Sequence, residues 1–272
     1  MNNRLPAILI NVALALIAAL TLFPLAWMVS ASLMAPGEAS TFPPPVFPKA
    51  ASLDNYRELF AARGIGRQAL NSLLVATCAT ALSLAFNLAA GYAFAKLHFP
   101  GRDRLLRALL GAMVIPGQVA MMPLFLMLKQ MGLVNSYAGA LVPWLASVFG
   151  IFMVRQYALS IPDDILDAAR IDGAGEWRIF TLVVLPLLKP IIVTLAVLVF
   201  LGAWNDFMWP LIVLTDRDLQ TLPVALAGLS REHVQDTELM MAGSVLTVLP
   251  VLLLFLVLQR YYMQGLLLGS VK

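Results

Sequence analysis

Asp163, Asp164, Asp167, Asp172 and Glu176 place five carboxylates within 14 residues of a chain that has only 15 acids. Ser160 stands ahead of Pro162-Asp163-Asp164, the composition of a helix start with acids at the positive end of the helix dipole. Ile161, Ile165, Leu166 and Ala169 recur at helical spacing and predict an apolar stripe. Asp172-Gly173 permits a turn, and Glu176–Val184 predicts a second short helix before Pro186. Two short helices joined at a glycine elbow form a rigid, protruding element suited to docking a partner. A solvated face is the alternative, but a plain loop has no need of this length or acid content.

A second constellation is Trp204-Asn-Asp-Phe-Met-Trp209. Two indoles beside Asn205 and Asp206 suit a sugar, stacking on its apolar face and bonding its hydroxyls. The same aromatics also suit an interfacial belt or gate, with Asp206 toward the headgroups, and this reading is preferred. Gln118 follows Pro116 and precedes Pro123. It serves either a solute path or the carbonyls that the prolines leave without donors. Ser72, Ala76, Thr80, Ser83, Asn87 and Gly91 line one helical face with small or polar groups. Such a face packs closely against another helix, and a path-lining role is the second possibility.

Catalytic chemistry finds no footing. The chain has no Gly-Lys pair for a phosphate-cradling loop, no Gly-x-Ser-x-Gly and no His-Glu-x-x-His. Cys78 is the sole cysteine, so no disulfide forms within the chain. His98 and His233 fall in different loops on opposite sides, which argues against a shared metal site.

The elements that carry these residues are set by composition. Hydrophobic residues make up 61% of the 272 and charged residues 12%, against about 45–50% and about 25% in soluble domains. A polytopic membrane protein is implied, and a net charge of +3 gives no case for nucleic acid. Charge-free intervals predict six transmembrane helices near 7–29, 69–95, 107–128, 137–156, 187–208 and 239–259. The first is too long for a signal peptide's apolar region and is expected to be an anchor. With both termini in the cytoplasm, inside segments hold 11 of the 18 basic residues, which favours that orientation. The acid-rich stretch then belongs to a cytoplasmic loop, 157–186. Pro43-Pro44-Pro45 and Pro48 predict an extended connector in the first outside loop.

Asp167-Ala-Ala-Arg-Ile-Asp-Gly173, with Leu185-Pro186 twelve residues on, closely resembles the "EAA" loop of binding-protein-dependent ABC importer permeases. Ala168, Ala169, Asp172, Gly173 and Ala174 match that motif, and Asp167 replaces its usual glutamate. Trp204–Leu211, Ile115-Pro-Gly-Gln118, Leu222-Pro223 and Gln259–Gly265 are similar to carbohydrate permeases, particularly the smaller subunit of maltose-type systems.

The resemblance implies an all-α, type I ABC importer permease fold forming a single transmembrane permease domain over 1–272. It implies that Asp167, Ala168, Ala169, Arg170, Asp172, Gly173 and Ala174 couple to an ATPase through the 161–180 helices. The implied partners are a second permease in a heterodimer, two ATP-binding subunits, an extracytoplasmic sugar-binding protein and the bilayer. ATP and Mg²⁺ are expected on the partner ATPases, with no cofactor on this chain. Thr215–Asp236 is a family-based candidate for contact with the binding protein, and Tyr261–Lys272 resembles a tail that reaches the ATPases. The rivals are an importer permease for glycerol phosphate, a polyamine or an amino acid, and an ion-coupled secondary transporter.

Overall fold

The computed structural model describes residues 4–232 and 236–268, with no strand among them. His233 and the end of the tail, 269–272, lie outside the described residues. Three single helices are long and apolar enough to cross a membrane: Ile8–Ala31 within α1 (Arg4–Ala31), α3 (Ile65–Lys96), and Thr237–Val257 within α14 (Thr237–Leu268). Three bent pairs bring the candidate spans to as many as six.

Bends fall inside two of the expected spans, 107–128 and 137–156, and at the start of a third, 187–208. Between α4 (Arg102–Ala112) and α5 (Gly117–Gln130) the direction changes by 105°. Pro116 caps α5 in an extended conformation and cannot donate to the preceding turn, whereas Pro123 sits within α5. A 45° bend separates Tyr137–Trp144, which begins with α6 (Tyr137–Leu141), from α7 (Val148–Leu159). An 80° bend at Leu188 separates Glu176–Leu187 from α11 (Lys189–Trp204), whose first turn contains Pro190.

The chain divides into two compact units. One comprises residues 1–67 and 222–253. Here α1 keeps its apolar surface exposed, while Ala31, Met34 and Ala39 form a small core with Trp27 and Met241. Glu238, fully buried at the start of α14, accepts the amide of Ala39 at 2.6 Å. The same unit holds α2 (Asp54–Ala61) and α13 (Leu222–Glu232).

The other unit comprises residues 68–221 and 254–272. Its main core gathers Leu88 and Tyr92 of α3, Val154 and Ala158 of α7, and Ile191, Leu195 and Val199 of α11. The small-residue face of α3 packs inward here: Ser72, Ala76, Ser83, Asn87 and Gly91 are all buried. At Gly91 a Cβ atom would meet Val154 at 2.5 Å, so α3 and α7 approach as closely as glycine allows.

Candidate coupling site

The acidic loop folds as two helices, α8 (Asp163–Ile171) and α9 (Glu176–Ile179), the second running on through a π-helical turn, Phe180–Val184. Ser160 is not the helix cap; its hydroxyl donates back to the Tyr157 carbonyl at 2.7 Å. Pro162 occupies the cap position, and Asp163 and Asp164 supply the charge of the first turn. Leu166 and Ile161 are buried in the main core, with Ala169 packed against it. Ile165 departs from the predicted stripe and is exposed: at about 100° per residue it sits at the edge of the buried face, beside Ala169 but about 100° from Leu166.

Gly173 has a left-handed φ of +80°. The Gly173 amide bonds the Arg170 carbonyl and the Ala174 amide bonds the Ala169 carbonyl, both at 3.0 Å. This is the paired bonding of a glycine-terminated helix, and it turns the chain sharply into α9. Ile179, Phe180, Val184 and Leu188 then return to the core. The opposite side stays uncovered: Ile171 is 86% exposed and Trp177 73% exposed.

Charged contacts fix the elbow. Arg170 donates from Nη1 to Oδ1 of Asp167 at 2.6 Å and from Nε to Oε1 of Glu176 at 2.9 Å. The hydroxyl of Tyr92, near the end of α3, donates to Oε2 of Glu176 at 2.9 Å. Four residues on, Lys96 Nζ donates to the Ile161 carbonyl at 2.6 Å and to Oδ1 of Asp163 at 2.7 Å. The Arg170 hydrogen bond holds the Glu176 carboxyl below its usual range against an opposing effect of burial, with Tyr92 adding to the depression. Hydrogen bonds from Glu176 and then Asp167 push the Arg170 pKa up, and Lys96 holds Asp163 below the ordinary carboxylate range. Lys96, His98, Asp163, Asp167, Arg170 and Glu176 border an open cleft of about 500 Å³. Tyr92 and Lys96 carry no local motif, and the sequence reading missed both.

The candidate path residues occupy separate places. Asn87 is fully buried; its Nδ2 donates to Ser83 Oγ at 2.8 Å and its Oδ1 accepts the Ser147 amide at 3.0 Å. Ser147 in turn caps α7 through the Gly150 amide. Asn87 therefore fixes the start of α7 against α3. Gln118 is exposed in the first turn of α5. Trp204 and Trp209 are buried within the unit, not arrayed as a lipid-facing belt. Trp204 stacks on Phe200 with ring centroids 6.0 Å apart, and the Trp209 indole N–H bonds the Gly139 carbonyl at 3.1 Å. A buried indole needs such an acceptor, and α6 supplies it. Asn205 remains exposed, with its amide on the Leu201 carbonyl, while Asp206 accepts the Trp209 amide just ahead of α12 (Met208–Val213), whose cap position is Phe207. The following loop is braced: Asn135 Oδ1 accepts the amides of Thr215 and Asp216, and Asn71 Nδ2 donates to the carbonyls of Asp218 and Gln220.

Long apolar helices, bent spans and a braced elbow define a polytopic membrane component. Residues 87–267 match the family described as "Binding-protein-dependent transport system inner membrane component", and the chain belongs to that family. It is 36% identical over 271 residues to the arabinooligosaccharides transport system permease protein AraQ of Halalkalibacterium halodurans, covering 97% of this chain and 96% of that one. It is 34% identical to the lactose transport system permease protein LacG of Rhizobium radiobacter, covering 100% and 98%. A chain in the crystal structure of a bacterial ABC transporter involved in the import of the acidic polysaccharide alginate shares the fold. There the TM-score is 0.84 at 24% identity, over 96% of this chain and 97% of that chain.

Proposed function

We propose that this chain is the permease subunit that passes a sugar or oligosaccharide into the cytoplasm, driven by separate ATPase subunits that dock on α8 and α9. The observation that carries this reading is the pairing of exposed Ile171 and Trp177 with an elbow held by Arg170, Asp167 and Glu176. Large apolar side chains on a rigid projection are the features of a docking surface. Both ABC-importer relatives described above are named for sugars, which supports the solute class.

Both termini then lie in the cytoplasm, and a second permease completes a heterodimer. An extracytoplasmic sugar-binding protein delivers solute, with the braced loop beginning at Thr215 as its candidate contact. ATP and Mg²⁺ belong to the two ATPase subunits, and this chain binds no cofactor. Closure of the ATPases moves α8 and α9 as one body, and alternating access follows from the two states so favoured. Asn205, Asp206 and Gln118 are the exposed or partly exposed candidates for the solute path. The test is purification of the assembled transporter and measurement of ATP hydrolysis with a panel of ligand-loaded binding proteins. Stimulation by a sugar-loaded protein is expected; stimulation only by another solute class overturns the carbohydrate reading.

A further inference from the structure

The turn that joins α3 to α4 gathers cations that the coupling elbow does not use. His98, Phe99, Arg102, Asp103, Arg104 and Arg107 border an open cleft of about 600 Å³. Two of these charges are spent on the turn itself. Arg102 donates from Nε to Oδ1 of Asp103 at 3.2 Å and from Nη1 to the Leu97 carbonyl at 3.1 Å. The carboxylate on the cleft is therefore already paired. Arg107 donates from Nε to the Asp103 carbonyl at 3.2 Å, which holds its guanidinium group beside the cleft. Among the described residues neither Arg104 nor Arg107 has a carboxylate partner, so two guanidinium groups one turn apart border the cleft without a counter-charge.

The other side of α4 is apolar. At about 100° per residue, Leu105, Leu106, Leu109 and Leu110 fall within an arc of about 140°, and Arg104 and Arg107 lie opposite them. No residue of α4 is buried. Leu105 is 50% exposed, and open apolar surface continues beyond the helix at Val114 and Ile115, which are 81% and 60% exposed. From Arg104 to the helix end at Ala112 the axis runs about 12 Å, against about 15 Å for one leaflet's share of the hydrocarbon core. His98 stands just past the end of α3, a helix able to cross a membrane. An amphipathic helix beside the end of a span suits the boundary between headgroups and acyl chains.

We propose that the cleft at Arg104 and Arg107 binds the phosphate of an anionic phospholipid, whose chains follow the open apolar surface from Leu105 to Ile115. Arginine forks match phosphate oxygens, and basic pockets at membrane level select anionic headgroups. The occupant is a lipid and not a free anion, because the unpaired charge is continuous with that apolar surface. His98 also borders the cleft of Asp163, Asp167, Arg170 and Glu176, so the bound headgroup lies next to the elbow. The proposed topology makes this the cytoplasmic leaflet, but the binding holds whichever way the chain is oriented and whatever solute it carries.

The test uses the assembled transporter in vesicles of phosphatidylcholine with a minor fraction of phosphatidylglycerol. Ala108→Cys, exposed on α4 one turn from Arg104, carries a fluorophore in a Cys78→Ser background. Quenching is compared when an equal mole fraction of one lipid or the other has brominated chains. A bound anionic lipid gives several-fold stronger quenching by brominated phosphatidylglycerol, and Arg104→Gln with Arg107→Gln brings the two lipids level. Equal quenching in the parent overturns the proposal. So does a preference that survives in the glutamine variant, which would belong to the basic face as a whole. Quenching by neither lipid means that a protein covers α4, and overturns it too. Loss of the preference in millimolar inorganic phosphate, with ionic strength matched by chloride, means a free-anion site and removes the lipid. The parent comparison decides even where the double variant fails to assemble.

Discussion

The Nε–H of Arg170 donates to Oε1 of Glu176 across 2.9 Å, tying the last turn of α8 to the first residue of α9 over the Gly173 turn. The bond makes one rigid piece of two helices too short to hold their relative orientation alone. It also gives the elbow a defined response to acid.

The Glu176 carboxyl is held below its ordinary value of 4.5, first by the Arg170 hydrogen bond. A depressed pKa means that the stabilisation is complete above the ordinary value and fades as pH falls through the folded one. The elbow is therefore expected to be cleaved more slowly in limited proteolysis at neutral pH than in acid, by a factor of a few. Glu176→Gln should show raised cleavage already at neutral pH and lose the acid-dependent increment. Because the side chain is half exposed, the effect is held to about 1 kcal/mol or less. An unaltered profile in that variant would show that the ion pair does not order the elbow.

Gly173 separates backbone strain from contact. A Cβ there would meet nothing within 4 Å, so a substitution acts through the φ of +80°. The left-handed conformation costs an ordinary L-residue about 1–2 kcal/mol, and asparagine less. Gly173→Val is expected to abolish uptake with normal membrane insertion, and Gly173→Asn to retain a substantial part of it. The comparison is uptake per amount of inserted protein. Normal uptake by the valine variant would remove the elbow from the coupling path.

Much of the elbow was legible because its determinants are local. Acids in the first turn of α8 and glycine at its end act through the dipole and through φ, both readable over a few residues. Open charge-free intervals likewise exposed the membrane segments. The contributions of Tyr92 and Lys96 were not legible, since their partners lie 84 and 65–67 residues away and only packing brings them together. Trp209 misled for the same reason. An indole near a span end fits an interfacial belt equally well until the carbonyl of Gly139 is found beside its N–H. Ser160 has a cap's chemistry, but its hydroxyl is already spent on Tyr157. The abrupt directions at Pro116 and Leu188 needed coordinates, because a proline's missing donor forecasts a break without its angle.

Lys96 gives a way to detach α8 from α3. Its ammonium satisfies the Ile161 carbonyl and pairs with Asp163, so Lys96→Met removes both bonds while Asp163→Asn leaves the carbonyl bond. An unsatisfied buried acceptor costs about 1–3 kcal/mol, so the methionine variant should be the more severe. The expected phenotype is ATP hydrolysis that continues without matching uptake, with Lys96→Arg partly restoring the ratio. Equal loss in the Met and Asn variants would assign the effect to the Asp163 ion pair instead of the carbonyl brace.

Gly91 tests whether α3 and α7 move together. A Cβ at this position would lie 2.5 Å from Cγ1 of Val154, 2.6 Å from its Cβ and 3.0 Å from the Arg155 amide nitrogen. A valine side chain cannot turn both of its carbons away, and the amide belongs to the backbone, so the helices must separate. Gly91→Ala is then expected to destabilise the detergent-purified protein by about 1–3 kcal/mol. Thermal unfolding against the parent protein measures it. Val154→Ala removes Cγ1 but leaves the Cβ and the amide in place, so the double variant should recover only part of the loss. Its deficit should stay larger than that of Val154→Ala alone. Full recovery would show that the side chain, not the backbone approach, sets the spacing of the two helices. No destabilisation in Gly91→Ala would show that α3 and α7 shift apart without cost, and a rigid coupling of the elbow to α3 would then end at this contact.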